Sequence, residues 1–161
     1  MDSGSRIRVA VNGYGVIGKR VADAVVRQDD MELAGIADIG TDWRMRVVRH
    51  KGFALYGATA ENADALRRSG LDVAGSLDEL LDSADIVVDC TPKRIAAKNV
   101  ETYRRRGQRF IVQGGEKHEV TGHSFVAEAS YANALGRTCT RVVSCNTTSI
   151  VRTLTALKHA G

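Results

Sequence analysis

Apolar positions recur along this chain with two different periods. Ile7, Val9 and Val11 fall on alternate residues, which predicts a strand, and the stretch from Val16 to Gln28 is amphipathic at helical spacing. Only Gly13, Gly15 and Gly18 punctuate the join, so the opening of the chain reads strand, glycine turn, helix. A second strand is expected over Glu32 to Ala37, where Leu33 and Ile36 are apolar, with Asp38 at its end. Trp43, Val47 and Val48 predict a short helix within Asp42 to Lys51, followed by a short strand over Phe53 to Tyr56 and a small helix over Asn62 to Arg68. Gly70 to Gly75 brings the chain back.

Ser76 and Glu79 have capping-box spacing, in which each side chain satisfies the other residue's backbone donor, so a helix starts over Ser76 to Leu81. Ile86, Val87 and Val88 stand in a row within Asp85 to Asp89, the pattern of a strand buried on both faces of a parallel sheet; it ends in Cys90-Thr91-Pro92. A polar-faced helix over Arg94 to Arg106 closes at Gly107, and a strand over Phe110 to Val112 leads into Gln113-Gly114-Gly115. After a looser stretch, Glu116 to Gly122, come Phe125 and Val126, a short helix over Ser130 to Leu135 and a last strand over Arg141 to Ser144. Cys145 opens a helix carrying Ile150, Val151, Leu154 and Leu157. Alternating strands and helices with short connections predict an α/β fold, a doubly wound (Rossmann) parallel sheet in a single domain, with ligands at the carboxyl ends of its strands.

Composition narrows the function. A chain of 161 residues suits one domain with a real core. Aromatic residues make up 5%, few for a protein that stacks on bases, so no nucleic-acid partner is expected. The net charge of +4 suits an anionic ligand. Arg104, Arg105 and Arg106 sit where cations complement a helix C-terminus. A polar start (Met1 to Arg6) and the lack of a long apolar run argue against a signal peptide or membrane partner and for a cytoplasmic protein. Three cysteines, Cys90, Cys139 and Cys145, fit neither a disulfide framework nor a CxxC metal site. The histidines, His50, His118, His123 and His159, lack metal-ligand spacing, so no metal is expected; each is read as solvent-facing, and none is an obvious base for Cys145.

The chemistry gathers at the strand ends: Asn12 and Gly13, Asp38, Cys90 and Thr91, Gly114 and Gly115, Ser144 and Cys145 are expected to converge on one crevice. Gly13, Gly15 and Gly18 form a dinucleotide-binding pattern, in which the first glycine allows the turn, the second lets backbone reach the pyrophosphate and the third lets helix approach strand; a non-binding scaffold would use the same glycines for steric reasons. Asp38, twenty residues past Gly18, can accept the ribose hydroxyls of NAD and would repel the 2′-phosphate of NADP, so NAD is favoured over NADP. The rival reading makes Asp38 a turn residue capping the next helix, and Asp42 competes for either role. Cys145 follows a strand and opens a helix, a placement that favours a thiolate able to attack carbonyls, although an inert core cysteine fits the same spacing. Cys90 and Cys139 read as structural.

The segment Ser144-Cys145-Asn146-Thr147-Thr148 after Arg141-Val142-Val143 resembles the active-site segment of glyceraldehyde-3-phosphate dehydrogenase. Val11 to Val25, Thr91-Pro92-Lys93 and Gln113 to Lys117 resemble the archaeal-type (type II) enzyme, so the likeness covers nearly the whole chain. It implies a phosphorylating dehydrogenase of glycolysis and gluconeogenesis, in which the cysteine attacks a phosphorylated aldehyde, hydride passes to the nicotinamide, and phosphate releases the thioester as an acyl phosphate. By the same resemblance, Val16 and Ile17 lie against the pyrophosphate, Gly115 lies beside the cofactor, Cys145 is the nucleophile, Ser144 and Asn146 border the substrate, and the protein is a homo-oligomer. Archaeal enzymes commonly carry lysine where this chain has Asp38, which departs from an NADP preference.

The resemblance divides the chain into a dinucleotide-binding domain over residues 1–144 and a catalytic-cysteine segment over 145–161, with the family's second, catalytic domain expected to be missing. Such a chain is expected to bind dinucleotide but to turn over poorly alone. The alternative is a stand-alone NAD-binding or redox-sensing module that keeps Cys145 as a sensitive thiol. A third reading, an acyl-phosphate reductase acting on an amino-acid semialdehyde, fits the Ser144 to Thr148 and Gln113 to Lys117 motifs less well.

Overall fold

The structure is a computed structural model that describes residues 5–113 and 115–161. The polar start up to Gly4, and Gly114 among the expected strand tips, lie outside the described residues. By internal packing the chain forms two compact units, Met1–Thr91 and Pro92–Gly161.

The first unit alternates strand and helix throughout: β1 (Ile7–Asn12), α1 (Val16–Val25), β2 (Met31–Asp38), α2 (Trp43–His50), β3 (Leu55–Gly57), α3 (Ala60–Arg68), β4 (Gly75–Ser76), α4 (Leu77–Ser83) and β5 (Ile86–Asp89). Its strands lie side by side in the order β4-β3-β2-β1-β5, and every pairing is parallel. The chain therefore moves outward from β1 through β4 and then returns to the other side of β1. This reversal between β1 and β5 is where parallel α/β sheets bind ligands.

Val11, Tyr14, Ile36, Met45, Val48, Leu55 and Leu66 form the core of this unit, each at most 1% exposed. Burying each such aliphatic side chain contributes about 1.5–3 kcal/mol against chain entropy. Val87 and Val88 are buried in β5, as the unbroken apolar run requires. Glu79 accepts the Ser76 N–H at 2.7 Å, so the capping box starts α4 where expected.

The second unit holds α5 (Ile95–Arg105), β6 (Arg109–Val112), a 3₁₀ turn (His118–Val120), β7 (Ser124–Phe125), α6 (Ala127–Ala134), β8 (Cys139–Val142) and α7 (Cys145–Ala160). Its strands run parallel in the order β6-β8-β7. Tyr103 of α5 meets Phe110 of β6 with ring centroids 5.5 Å apart.

Several sequence expectations shift. The last strand begins two residues earlier than Arg141, because Cys139 and Thr140 pair with Phe110 and Ile111. The short helix begins at Ala127 and is broken at Ser130 (φ −138°, ψ 18°), whose Oγ bonds back to the Val126 backbone. Trp43, expected to share the helix's apolar face with Val48, is 64% exposed. His123 is buried rather than solvent-facing, since its Nδ1 finds a partner 2.6 Å away in Thr140 Oγ1.

Candidate functional site

The turn after β1 is shaped by two glycines. Gly13 adopts φ +93°, donates its N–H to Ala37 O at 2.8 Å, and passes so near β5 that a Cβ there would stand 3.0 Å from the Cys90 carbonyl carbon. A Cβ on Gly18 would stand 1.9 Å from Gly13 O, so only glycine lets α1 start this close to β1. Gly15 differs. It caps α1 with extended backbone, and a Cβ there would meet nothing within 4 Å.

The first turn of α1 has no side-chain cap and no acidic residue. Its orphan N–H groups and positive dipole end suit an anion such as a pyrophosphate, and the space beside Gly15 is open. Val16 and Ile17 are exposed beside it. These residues fit a dinucleotide.

Asp38 ends β2 and is 7% exposed. Its Oδ2 accepts the Tyr14 N–H at 2.6 Å and its Oδ1 the Gly40 N–H at 2.7 Å, so the carboxylate ties the glycine turn to the next loop. The helix-capping part of the rival reading falls to Asp42, which takes the Arg44 N–H at the start of α2. At the tip of β5, buried Asp89 accepts the Thr91 N–H at 2.9 Å, and Asn12 Nδ2 lies 3.4 Å from its other oxygen. Burial first, then the neighbouring Asp89 charge, pushes the Cys90 thiol up to about 12, which suits the structural role expected for it.

Sequence reasoning did not see a charged cluster beside this turn. Asp42 grips the Arg44 guanidinium at 2.7 to 3.0 Å, and Lys19 Nζ stands 4.3 Å from the Trp43 ring centroid. The only available signal was the short separation of Asp42, Trp43 and Arg44, because the contact with Lys19 depends on how α1 packs beside α2. The surface depression bounded by Arg46, Arg49, Ser69, Gly70 and Leu71 contains none of the candidate residues.

In the second unit Cys145 is exposed and is the first residue of α7. Ser144 caps that helix by accepting the Thr147 N–H at 3.3 Å, and Cys145 Sγ lies 3.9 Å from Asn146 Oδ1. Gly115 is exposed with φ +72°. Next to it, buried Glu116 accepts the Arg94 N–H at 2.5 Å, and Arg94 alone among the described non-glycine residues has positive φ. Arg141 donates to Glu116 O at 2.6 Å and to Ser124 Oγ at 2.8 Å. Burial pulls the His123 imidazole below its usual value, helped by Arg137 and His118.

The structure thus gathers Gly13, Gly15, Gly18 and Asp38 in the first unit, and Ser144, Cys145 and Asn146 at the start of one helix in the second. Among the described residues no group of His, Cys, Asp or Glu could hold a metal ion, and no helix is long and apolar enough to cross a membrane.

Residues 7–120, which carry the glycine turn and both strands at the reversal, match the family model of the N-terminus of dihydrodipicolinate reductase. The chain belongs to that family. Among curated proteins it is 49% identical over 149 residues to glyceraldehyde-3-phosphate dehydrogenase of Methanothermus fervidus, covering 92% of this chain and 44% of the relative. It is 48% identical to the protein of that name from Thermococcus kodakarensis, over 96% of this chain and 46% of the relative. The likeness to archaeal enzymes of that name, read from the motifs, is therefore present along nearly the whole chain. The chain spans less than half the length of these relatives.

An NAD-binding protein from Listeria innocua aligns with 68% of this chain and 27% of its own, at 17% identity and a TM-score of 0.45. The glycine-turn fold and the dehydrogenase relatives support a nicotinamide dinucleotide as the class of cofactor.

Proposed function

We propose that this chain is the NAD-binding portion of a phosphorylating glyceraldehyde-3-phosphate dehydrogenase. The observation that carries the reading is the uncapped start of α1 behind Gly13 and Gly18, in a chain about half identical to archaeal dehydrogenases. The α1 N–H groups hold the pyrophosphate, with Gly15 leaving room for it and Val16 and Ile17 flanking it. Gly115 lies beside the cofactor in this reading. Asp38 directs its remaining lone pairs to the ribose hydroxyls and disfavours a 2′-phosphate, since like charges 4 Å apart repel by about 4 kcal/mol at an effective dielectric of 20. NAD is accordingly favoured over NADP.

Cys145 supplies the sulfur nucleophile, and its thiolate adds to the carbonyl carbon of the phosphorylated aldehyde to form a hemithioacetal. The bound dinucleotide supplies a two-electron acceptor for the hydride lost as that adduct becomes a thioester. Inorganic phosphate then displaces Cys145, giving an acyl phosphate and returning the thiolate. Ser144 and Asn146 flank the sulfur and border the substrate. Residues from Cys145 onward belong to the catalytic part of the enzyme, and these 161 residues alone bind cofactor with little turnover.

The exposed thiol of Cys145 also favours a second reading, a stand-alone NAD-binding module that senses oxidants. An assay with glyceraldehyde 3-phosphate, phosphate and NAD, run on this chain alone and on a version joined to the remaining length of an archaeal relative, separates the two. Turnover restored by the joined chain and abolished by Cys145→Ala supports the dehydrogenase portion. A joined chain that stays inactive while NAD binds supports the sensor.

A further inference from the structure

The cluster beside the glycine turn carries an inference about which dinucleotide the site admits. A Cβ placed on Gly40 would stand 3.1 Å from Asp38 Oδ1, 3.3 Å from Arg44 Nη2 and 3.7 Å from Asp42 Oδ2, so these three charged side chains meet over one glycine. Asp42 engages one edge of the Arg44 guanidinium: Nε lies 3.0 Å from both carboxylate oxygens and Nη2 lies 2.7 Å from Oδ2. The Nη1 edge donates to no protein group among the described residues. Lys19 lies close enough to Asp42 to help hold its carboxyl below the usual range, the Arg44 hydrogen bonds being the larger cause. Two cations and two carboxylates therefore stand at the end of β2 with no net charge.

We propose, resting on the reading that the glycine turn binds a dinucleotide, that Asp42 sets cofactor choice by neutralising Arg44. In this account Arg44, with Lys19 beside it, is a latent site for a ribose 2′-phosphate. The end of β2 is where a bound dinucleotide presents its adenosine ribose, and a guanidinium there matches a phosphate through paired N–H donors. With Asp42 charged, Arg44 is already partnered and Asp38 opposes a second anion. With Asp42 uncharged, Arg44 and Lys19 outweigh Asp38.

Calorimetric titration of the whole chain with NAD and with NADP tests this in three forms: unsubstituted, Asp42→Asn, and Asp42→Asn with Arg44→Met. Asparagine also caps helices, so α2 keeps its start. The proposal expects the ratio of NADP to NAD dissociation constants to fall at least tenfold in Asp42→Asn and to return when Arg44→Met is added. An unchanged ratio in Asp42→Asn, or a fall that persists without Arg44, overturns the proposal while leaving dinucleotide binding intact. Failure of the unsubstituted chain to bind either nucleotide defeats the underlying reading and this one with it.

Discussion

Asp38 and Tyr14, 24 residues apart in sequence, are joined by a 2.6 Å hydrogen bond from the Tyr14 N–H to the Asp38 carboxylate. Tyr14 lies between the first two glycines of the turn, so the residue expected to face the ribose also fixes the turn expected to hold the phosphates. Asp38→Ala leaves two backbone N–H groups without their acceptor, at a cost of about 1–3 kcal/mol for each that stays buried. Urea denaturation is expected to show a lower midpoint, corresponding to a loss of unfolding free energy of that order. An unshifted midpoint would mean the turn holds itself.

Gly18 and Gly15 are expected to fail in opposite ways. Gly18→Ala puts a methyl 1.9 Å from Gly13 O, an overlap expected to cost about 1–3 kcal/mol or more as α1 is forced away from β1. Gly15→Ala meets nothing, so its thermal midpoint is expected to stay close to that of the unsubstituted chain. Equal losses in the two variants would contradict the separate roles given to them.

That distinction marks how far the sequence could be read. The spacing of Ile7, Val9 and Val11, the three glycines and the Ile86 to Val88 run locate β1, the turn and β5, because each is a local pattern answering to a local steric demand. The burial of His123 is not local. It follows from the pairing of β7 with β8, which brings Thr140 within hydrogen-bond reach. Trp43 misled for the same reason, since helical spacing says which residues share a face and not that Lys19 stands over this one.

The cysteines are expected to react in a fixed order. With its thiol pushed up to about 12, Cys90 holds about one part in ten thousand as thiolate at pH 8, whereas Cys145 is exposed at a helix start. Limited iodoacetamide treatment followed by peptide mass spectrometry is expected to find Cys145 modified first and Cys90 last. Cys90 modified ahead of Cys145 would remove the basis for treating Cys145 as the working thiol.

His123 gives the stability a pH dependence. Its imidazole is held below the usual value in the folded chain, so as pH falls past about 6.5 the unfolded chain takes up a proton that the folded chain resists. The stability this neutral histidine supports is present above that pH and is lost as pH falls. The urea midpoint is expected to drop between pH 7.5 and 5.5, and His123→Gln is expected to flatten the drop. A drop of the same size in both proteins would place its source elsewhere.

The central claim is that the open start of α1 takes a nicotinamide dinucleotide. Its most direct measurement is calorimetric titration of the chain with NAD, beside a Gly15→Val variant whose circular dichroism and melting curve match those of the unsubstituted chain. The extended backbone at Gly15 suits valine, and the added bulk stands where the pyrophosphate would pass. The account predicts saturable one-to-one binding to the unsubstituted chain and its loss in the variant. Heats no larger than dilution, or equal affinity in both proteins, would contradict it.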